Sequence, residues 1–182
     1  MVRGNVDKIK NLSLDLLNFG KSEAIQRVNT DPLVPVREAL SLLQPKAEEK
    51  AVLLKSELAE SIPACALDPE AIGLCLLNLI QNALEAFDEE AARAAGREVV
   101  VRAFQPPGWA VAYSVSDNGP GMDNDTRERL FKGFFSTKGT CGTGIGLTMT
   151  KRIVDRHEGT LEVLSSRGAG SRFTICLPGN PP

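Results

Sequence analysis

Apolar residues recur at three- and four-residue spacings in several segments of this sequence, which is the period of an amphipathic helix. The first such segment covers residues 5–28, and its apolar stripe consists of Val6, Ile9, Leu12, Leu16 and Phe19. A helix of this kind needs a partner for its apolar face, so it packs either on its own domain or in a dimerising helical hairpin. Residues 29–32 combine turn formers with a proline and predict a linker.

Three further helices are predicted at residues 36–50, 69–95 and 145–157. The second of them has clear end signals, because Asp68 can cap it, Pro69 suits its first position and Gly96 suits its end.

The remaining apolar segments favour strands. Residues 51–58 and 62–67 predict two short strands, while the pairs 98–104 with 109–116 and 160–165 with 171–177 predict two hairpins with Gly- or Pro-containing turns. A long glycine-rich loop, 117–143, separates the hairpins, and such loops in compact domains are usually functional. Helices interspersed with hairpins predict an α+β fold, a two-layer sandwich with helices on one face of a mixed sheet, plus the N-terminal helix.

Composition narrows the class of protein. Hydrophobic residues make up 42% of the 182 residues and the formal net charge is -2, so neither nucleic acid nor an anionic membrane is an expected partner. No run reaches the roughly 20 apolar residues of a membrane-spanning helix, and we expect a cytoplasmic chain, compatible with a membrane-anchored parent. The four cysteines lack the close spacing of a zinc site.

The helix predicted at 69–95 carries the motif NLIQNALEA. Asn78 and Asn82 lie one helical turn apart and therefore share a face. Their amides need partners among the surrounding leucines; they bond either to nearby backbone and solvent or, through a carbonyl oxygen, to a hard cation such as Mg²⁺. Glu85 is close enough in sequence to reach the same edge.

Two glycine-containing motifs follow. DNGPGM, from Asp117 to Met122, comes at the end of a Val-rich strand, where a carboxylate can accept a hydrogen bond from an exocyclic amine; alone, it is equally a turn signal. GTCGTGIGL, from Gly139 to Leu147, runs into a helix, and its successive backbone N–H groups suit phosphate. It matches neither the P-loop nor the dinucleotide-binding pattern.

Together, in this order, the three motifs resemble the GHKL (Bergerat) ATP-binding family of gyrases, heat-shock-90 chaperones, histidine kinases and mismatch-repair ATPases. Within it, the chain is similar to sensor histidine kinases over about residues 34–178, and FFSTKGTCGTGIGLTMTKRIVDRHEG is similar to kinases of the nitrogen-regulation type. The resemblance implies an ATP-binding catalytic domain at 31–182. It also implies that residues 1–30 are the second helix of a dimerisation hairpin whose first helix carries the phosphoacceptor histidine.

The resemblance also assigns roles to residues. It implies that Asn82 holds Mg²⁺, Asn78 lies beside the phosphates, and Lys138 reaches the terminal phosphate of ATP. Asp117 would bind the adenine amine, with Ser171 near it through a water.

The loop between these motifs is implied to be a mobile ATP lid. Gly119 and Gly121 would flank the adenine. The lid would close over the nucleotide with Gly142, Thr143, Gly144, Ile145, Gly146 and Leu147, and it would be held by Phe131, Phe134 and Phe135.

Asn78 bears on the reaction, because the gyrase-like branch has a glutamate there as general base and an amide cannot take a proton. That disfavours fast ATP hydrolysis and favours transfer to a protein acceptor. The resemblance implies that this acceptor is a histidine, on a separate domain or upstream in a parent chain, and that a response regulator receives the phosphoryl group from it. The one histidine, His157, ends a predicted helix and is expected to cap it. A serine kinase or anti-sigma-type regulator and a non-catalytic nucleotide-binding module stay open as alternatives.

Overall fold

The computed structural model describes residues 25–88, 96–131 and 145–179. Four helices lie in these ranges, and within them none is long and apolar enough to cross a membrane. The helices are α1 (Leu33–Glu49), α2 (Pro69–Glu85), α3 (Asn124–Arg129) and α4 (Gly146–Arg156), and a 3-10 turn at Ala86–Asp88 extends α2.

The strands form two sheets. The small sheet pairs β1 (Val28–Thr30) with β3 (Cys65–Leu67). The larger sheet has the order β2-β4-β5-β7-β6 and consists of β2 (Leu53–Leu58), β4 (Glu98–Phe104), β5 (Val111–Asp117), β6 (Thr160–Ser165) and β7 (Ser171–Leu177). β2 runs parallel to β4 and the other pairs are antiparallel, so the sheet is mixed as predicted.

The core lies between this sheet and the helices. Alternate residues of the three central strands face it, as the period of a strand requires, and they are Val99, Val101, Ala103, Val111, Tyr113, Val115, Phe173, Ile175 and Leu177. The opposite face carries charged pairs such as Arg102 with Glu57. The one-sided core confirms the predicted α+β sandwich.

Local sequence signals explain where α2 begins. The Asp68 carboxylate accepts the N–H of Ala71 at 3.0 Å and Pro69 follows it, so the predicted cap is confirmed. Both predicted hairpins are also confirmed, and the second has the predicted bounds.

Two regions correct the prediction. The helix predicted at 5–28 lies largely outside the described residues; where it is described, residues 25–27 are not helical and Val28–Thr30 forms a strand, so the predicted end was wrong. Pairing with Cys65–Leu67, a non-local contact, determines that conformation. The division into 1–30 and 31–182 stays a prediction.

The other correction concerns the long loop, which contains the short helix α3. Its N-cap Asp123 accepts the N–H of Thr126 at 2.9 Å. The helix predicted to reach residue 95 ends at Glu85 and its 3-10 extension, and residues 89–95 lie outside the described ranges.

Candidate functional site

The two asparagines of α2 interact with each other, as their spacing predicts. Asn82 Nδ2 donates to Asn78 Oδ1 at 3.3 Å. Both side chains are partly buried, on an apolar helix whose other face fills the core. The pair therefore lies at the edge of the core with its polar groups aligned along one face.

Helix α4 supplies the next component of the site. Thr150, which is fully buried, accepts the N–H of Asn78 at its Oγ1, 2.9 Å from Asn78 Nδ2. Gly146 lies against the same amide, because a Cβ built there would be 2.2 Å from Asn78 Oδ1. A side chain at this position would displace the Asn78 amide, so the start of α4 approaches α2 closely.

The first turn of α4 contains a buried polar atom that no described residue contacts by a hydrogen bond. The N-cap of α4 is Ile145, whose side chain makes no capping hydrogen bond to the first N–H groups of the helix. Thr148 Oγ1 in the same turn is buried and has no hydrogen-bond partner within the described residues. Free N–H groups at a helix start favour an anion such as phosphate.

The end of β5 provides an acidic group. Asp117 Oδ1 accepts the N–H of Gly119 at 2.9 Å, and Asp117 lies opposite Ser171 in the sheet. Burial raises the pKa of Asp117 above its ordinary value, against the opposing effect of backbone hydrogen bonds from Gly119 and Ser171. A partly desolvated carboxylate of this kind gains from a ligand that donates a hydrogen bond to it.

The first glycine of DNGPGM links this carboxylate to α2. A Cβ at Gly119 would lie 2.9 Å from Asp117 Oδ1 and 3.3 Å from the Cβ of Ala86, the last residue of the NLIQNALEA motif. Helix α2 therefore contacts both other motifs, the start of α4 at Asn78 and the DNGPGM loop at Ala86. The structure thus brings together the described parts of all three motifs that the sequence singled out.

Gly121 has different neighbours. It has a positive φ of 64°, and a Cβ there would be 2.0 Å from the backbone oxygen of Ser166 in the β6–β7 turn. Gly168 N–H in that turn donates to Pro120 O at 2.7 Å. Gly121 therefore joins the DNGPGM loop to the second hairpin, and its predicted place beside adenine stays a prediction.

Ser171 takes part in a small hydroxyl network. Its Oγ lies 3.0 Å from Ser165 Oγ, and Ser165 Oγ also donates to Gly170 O at 3.0 Å and accepts the N–H of Met122 at 2.8 Å. Ser165 was not predicted as a site residue. Its position opposite Ser171 in the predicted hairpin was the available signal.

Glu85 contacts α1 and its own helix. Its Oε1 accepts from Lys46 Nζ at 3.2 Å and from Gln81 Nε2 at 2.8 Å. Its predicted reach to the edge near Asn82 stays a prediction.

His157 has the structural role that was predicted for it. It is 2% exposed; Nδ1–H donates to Ile153 O at 2.8 Å, and Nε2 accepts the N–H of Asp68 at 3.0 Å. Both ring nitrogens are therefore occupied in a neutral imidazole. The ring fastens the end of α4 to the start of α2.

Several predicted site residues are outside the described ranges, and their roles stay predictions; they are Lys138, Gly142, Thr143, Gly144, Phe134 and Phe135. Of the others, Ile145 is buried just before α4, while Leu147 and Phe131 pack partly buried against the core.

Thr150 was missed although it lies close to the predicted residues. It comes four positions after Gly146, and therefore on the same helix face. The sequence alone offered that spacing but not the contact with Asn78, which depends on how α2 and α4 pack.

The comparisons with known proteins agree with this geometry. Residues 67–181 match the family described as histidine kinase-, DNA gyrase B-, and HSP90-like ATPase. The signal transduction histidine-protein kinase AtoS of Escherichia coli (strain K12) is 32% identical over 181 residues, which cover 100% of this chain and 29% of AtoS. This chain therefore spans less than a third of that relative.

Two solved histidine kinase structures share the fold. Full-length ShkA in complex with AMPPNP has a TM-score of 0.80 and 27% identity, covering 95% of this chain and 36% of that one. The nucleotide-free catalytic domain of ThkA has a TM-score of 0.71 and 25% identity, covering 85% of this chain and 96% of that one. With its motifs assembled around α2, β5 and α4, the chain belongs to the histidine kinase-, DNA gyrase B- and HSP90-like ATPase family.

Proposed function

We propose that this chain is the ATP-binding catalytic domain of a two-component sensor histidine kinase. It would transfer the γ-phosphate of ATP to a histidine that this sequence does not contain. The observation that carries the proposal is that α2, which bears the asparagine pair, contacts both the start of α4 at Gly146 and the loop after Asp117 at Gly119. The likeness to AtoS over the whole of this chain supports the kinase branch of the family.

The adenine end of the nucleotide would bind at Asp117. Its carboxylate would accept the exocyclic amine, with Gly119 and Gly121 beside the ring and Ser171 near it through a water. The buried position of Asp117 and its raised pKa support this role, because an incoming donor offsets part of its desolvation.

The phosphate end would lie at α2 and α4. Asn82 would contribute an oxygen to Mg²⁺, a cation that binds oxygen ligands and phosphates, and when bound this ion would neutralise charge on the phosphates. Asn78, Lys138 and the backbone of Gly142, Thr143, Gly144, Ile145, Gly146 and Leu147 would hold the phosphates. Phosphoryl transfer depends mainly on such positioning and charge neutralisation.

Within this chain, His157 is not a suitable acceptor. It is the one histidine of the sequence, it is buried, and both nitrogens are hydrogen-bonded. The acceptor would therefore lie on a dimerisation domain, upstream in a parent chain or supplied by another chain.

The wider assembly follows from the same proposal. Residues 1–30 would belong to the dimerisation hairpin and allow a homodimer, and a response regulator would receive the phosphoryl group. We place the chain in the cytoplasm, whether or not a parent protein is membrane-anchored. The run from Phe134 to Gly159 supports a kinase of the nitrogen-regulation type.

The proposal is tested by mixing the chain with a separate phosphoacceptor domain, Mg²⁺ and radiolabelled ATP. We expect an acid-labile, base-stable phosphoprotein. Acid-stable label would instead indicate a serine kinase, and ATP binding without any transfer would indicate a non-catalytic module.

A pair of variants examines the nucleotide site itself. Asp117→Asn removes the charged acceptor, and we expect ATP affinity to fall by roughly tenfold to a hundredfold, since hydrogen bonds to charged groups contribute about 1.5–3 kcal/mol. Asp125→Asn, at an exposed carboxylate on α3, is the matched control. Titration calorimetry that finds equal affinities for both variants would contradict the assignment of Asp117.

A further inference from the structure

Three polar side chains form a line that begins inside the protein and ends at the proposed Mg²⁺ position. Thr150, 0% exposed, accepts from Asn78 Nδ2 at 2.9 Å. Asn78 Oδ1 then accepts from Asn82 Nδ2 at 3.3 Å. The line connects α4 to both asparagines of α2.

The direction of these bonds determines which end of each amide is available. An amide has an N–H₂ end and a carbonyl end, and Thr150 engages the N–H₂ end of Asn78. Its carbonyl therefore faces Asn82 and engages the N–H₂ end of that residue. Among the described residues no donor contacts Asn82 Oδ1, so this carbonyl oxygen remains available to a ligand.

The neighbouring backbone supports the same orientation. Asn78 Oδ1 lies where a side chain at Gly146 would be, 2.2 Å from the position of a Cβ. The Asn78 amide is thus held between Thr150 and Gly146 on α4 and Asn82 on α2. A hard cation takes oxygen ligands, so a reversed Asn82 amide would present N–H to the ion.

We propose that Thr150 is a positioning residue that orients the amides of Asn78 and Asn82 and so sets the Mg²⁺ dependence of nucleotide binding. The inference rests on the proposed function, because it takes Asn82 to be the residue that contacts the ion. Thr150 itself touches neither nucleotide nor metal in this scheme.

The test compares a substitution that removes the Thr150 hydroxyl with one that keeps it. Thr150→Val keeps the branched shape and removes the acceptor, whereas Thr150→Ser keeps the acceptor. In the wild type, Mg²⁺ should increase the affinity for an ATP analogue by a certain factor. For Thr150→Val we expect this factor to be roughly tenfold smaller, which corresponds to the loss of one hydrogen bond. Because Asn78 also lies beside the phosphates in the proposed function, we expect the Mg²⁺-free affinity to fall as well, but by a smaller factor than the affinity with Mg²⁺. We expect Thr150→Ser to restore the wild-type behaviour.

A control separates this effect from a general loss of packing. Thr174→Val removes a hydroxyl from the sheet, where Thr174 Oγ1 donates to Ser114 Oγ at 3.5 Å, and should leave the Mg²⁺ effect unchanged. If Thr150→Val weakens binding equally with and without Mg²⁺, or if Thr150→Ser fails to restore it, the inference is wrong.

A second readout does not depend on nucleotide. In the ligand-free protein, NMR of side-chain amides should show the Asn78 Nδ2 protons shifted in Thr150→Val and restored in Thr150→Ser. If the wild-type chain binds Mg²⁺–nucleotide but transfers no phosphoryl group to the acceptor domain, the proposed function is wrong and the Thr150 inference stands. Unshifted Asn78 protons in Thr150→Val would overturn the inference and leave the proposed function standing.

Discussion

The two ends of helix α4 contrast in how their polar groups are used. At the start, Ile145 provides no capping side chain, Gly146 lies against Asn78, and Thr148 Oγ1 has no partner within the described residues. At the end, His157 N–H donates to backbone oxygens, and Arg27 Nη2 donates to the oxygen of Arg156 at 2.6 Å.

The difference indicates a division of roles along one short helix. A buried polar atom such as Thr148 Oγ1, which has no partner within the described residues, costs free energy unless something else binds it, so the start of α4 is suited to a ligand. The groups at the other end are satisfied internally, and that end fixes the helix to the domain. Substitutions at the start should therefore change binding, while substitutions at the end should change stability.

Among substitutions in α4, the largest effect on nucleotide binding is expected from Gly146→Ala. The new Cβ would displace the Asn78 amide and break its bond to Thr150, so we expect nucleotide affinity to fall by at least roughly tenfold. Thermal stability should change little, because alanine favours a helix over glycine by about 1 kcal/mol and this gain offsets the cost of displacing the Asn78 amide. Calorimetric titration and thermal melts measure the two quantities.

Gly73→Ala is the matched control, since Gly73 is also helical and a Cβ there would meet only Pro35 at 4.0 Å. It should leave affinity unchanged. Wild-type affinity in Gly146→Ala would refute the idea that the start of α4 is arranged around a ligand.

The sequence could predict the features that depend on local signals. The Asp68 cap followed by Pro69, the two hairpins, and the spacing of Asn78 and Asn82 all follow from residues close together in the chain. The meeting of the motifs was anticipated through the family resemblance, not from the residues alone.

What could not be predicted depends on distant contacts. Three residues at Val28–Thr30 carry too little pattern to indicate a strand, and their pairing with Cys65–Leu67 decides the conformation. The bonds from Thr150 to Asn78 and from His157 to Asp68 likewise require the packing of α4 on α2. Neither partner could be named before the fold was known.

The largest effect on stability is expected from His157→Ala, at the opposite end of α4. The change removes a buried ring and its two hydrogen bonds, and we expect the free energy of unfolding to fall by about 3 kcal/mol. Nucleotide affinity should stay close to that of the wild type. Lys151→Ala, on an exposed part of the same helix, is the control and should change stability by less than about 0.5 kcal/mol.

The free energy of unfolding should also depend differently on pH in the wild type and in His157→Ala. Burial lowers the pKa of His157 below its ordinary value of 6.5; Arg27 lowers it further, while Asp68 and the bond to Ile153 oppose the shift. As pH falls, the histidine of the unfolded chain therefore binds its proton at a higher pH than that of the folded protein. The contribution of His157 to stability is thus complete above about pH 6.5 and declines as pH falls through the lowered pKa. Denaturant titrations across this range should show that decline in the wild type and not in His157→Ala.

The smallest effect is expected from Arg27→Ala, which removes the outermost contact at the end of α4. Arg27 Nη2 also pairs with Glu158 Oε1 at 2.8 Å, but the Glu158 side chain is 69% exposed, so solvent weakens the pair. We expect a loss of about 1 kcal/mol or less, mainly from the bond to the oxygen of Arg156. Glu158→Gln should reduce stability even less, because it keeps the bond from Arg27 to the oxygen of Arg156. Added salt should reduce the difference in stability between Glu158→Gln and the wild type, because it screens the ion pair. Neither variant should change nucleotide affinity; a clear change in Arg27→Ala would mean that the end of α4 influences the site at its start, and the division of roles would fail.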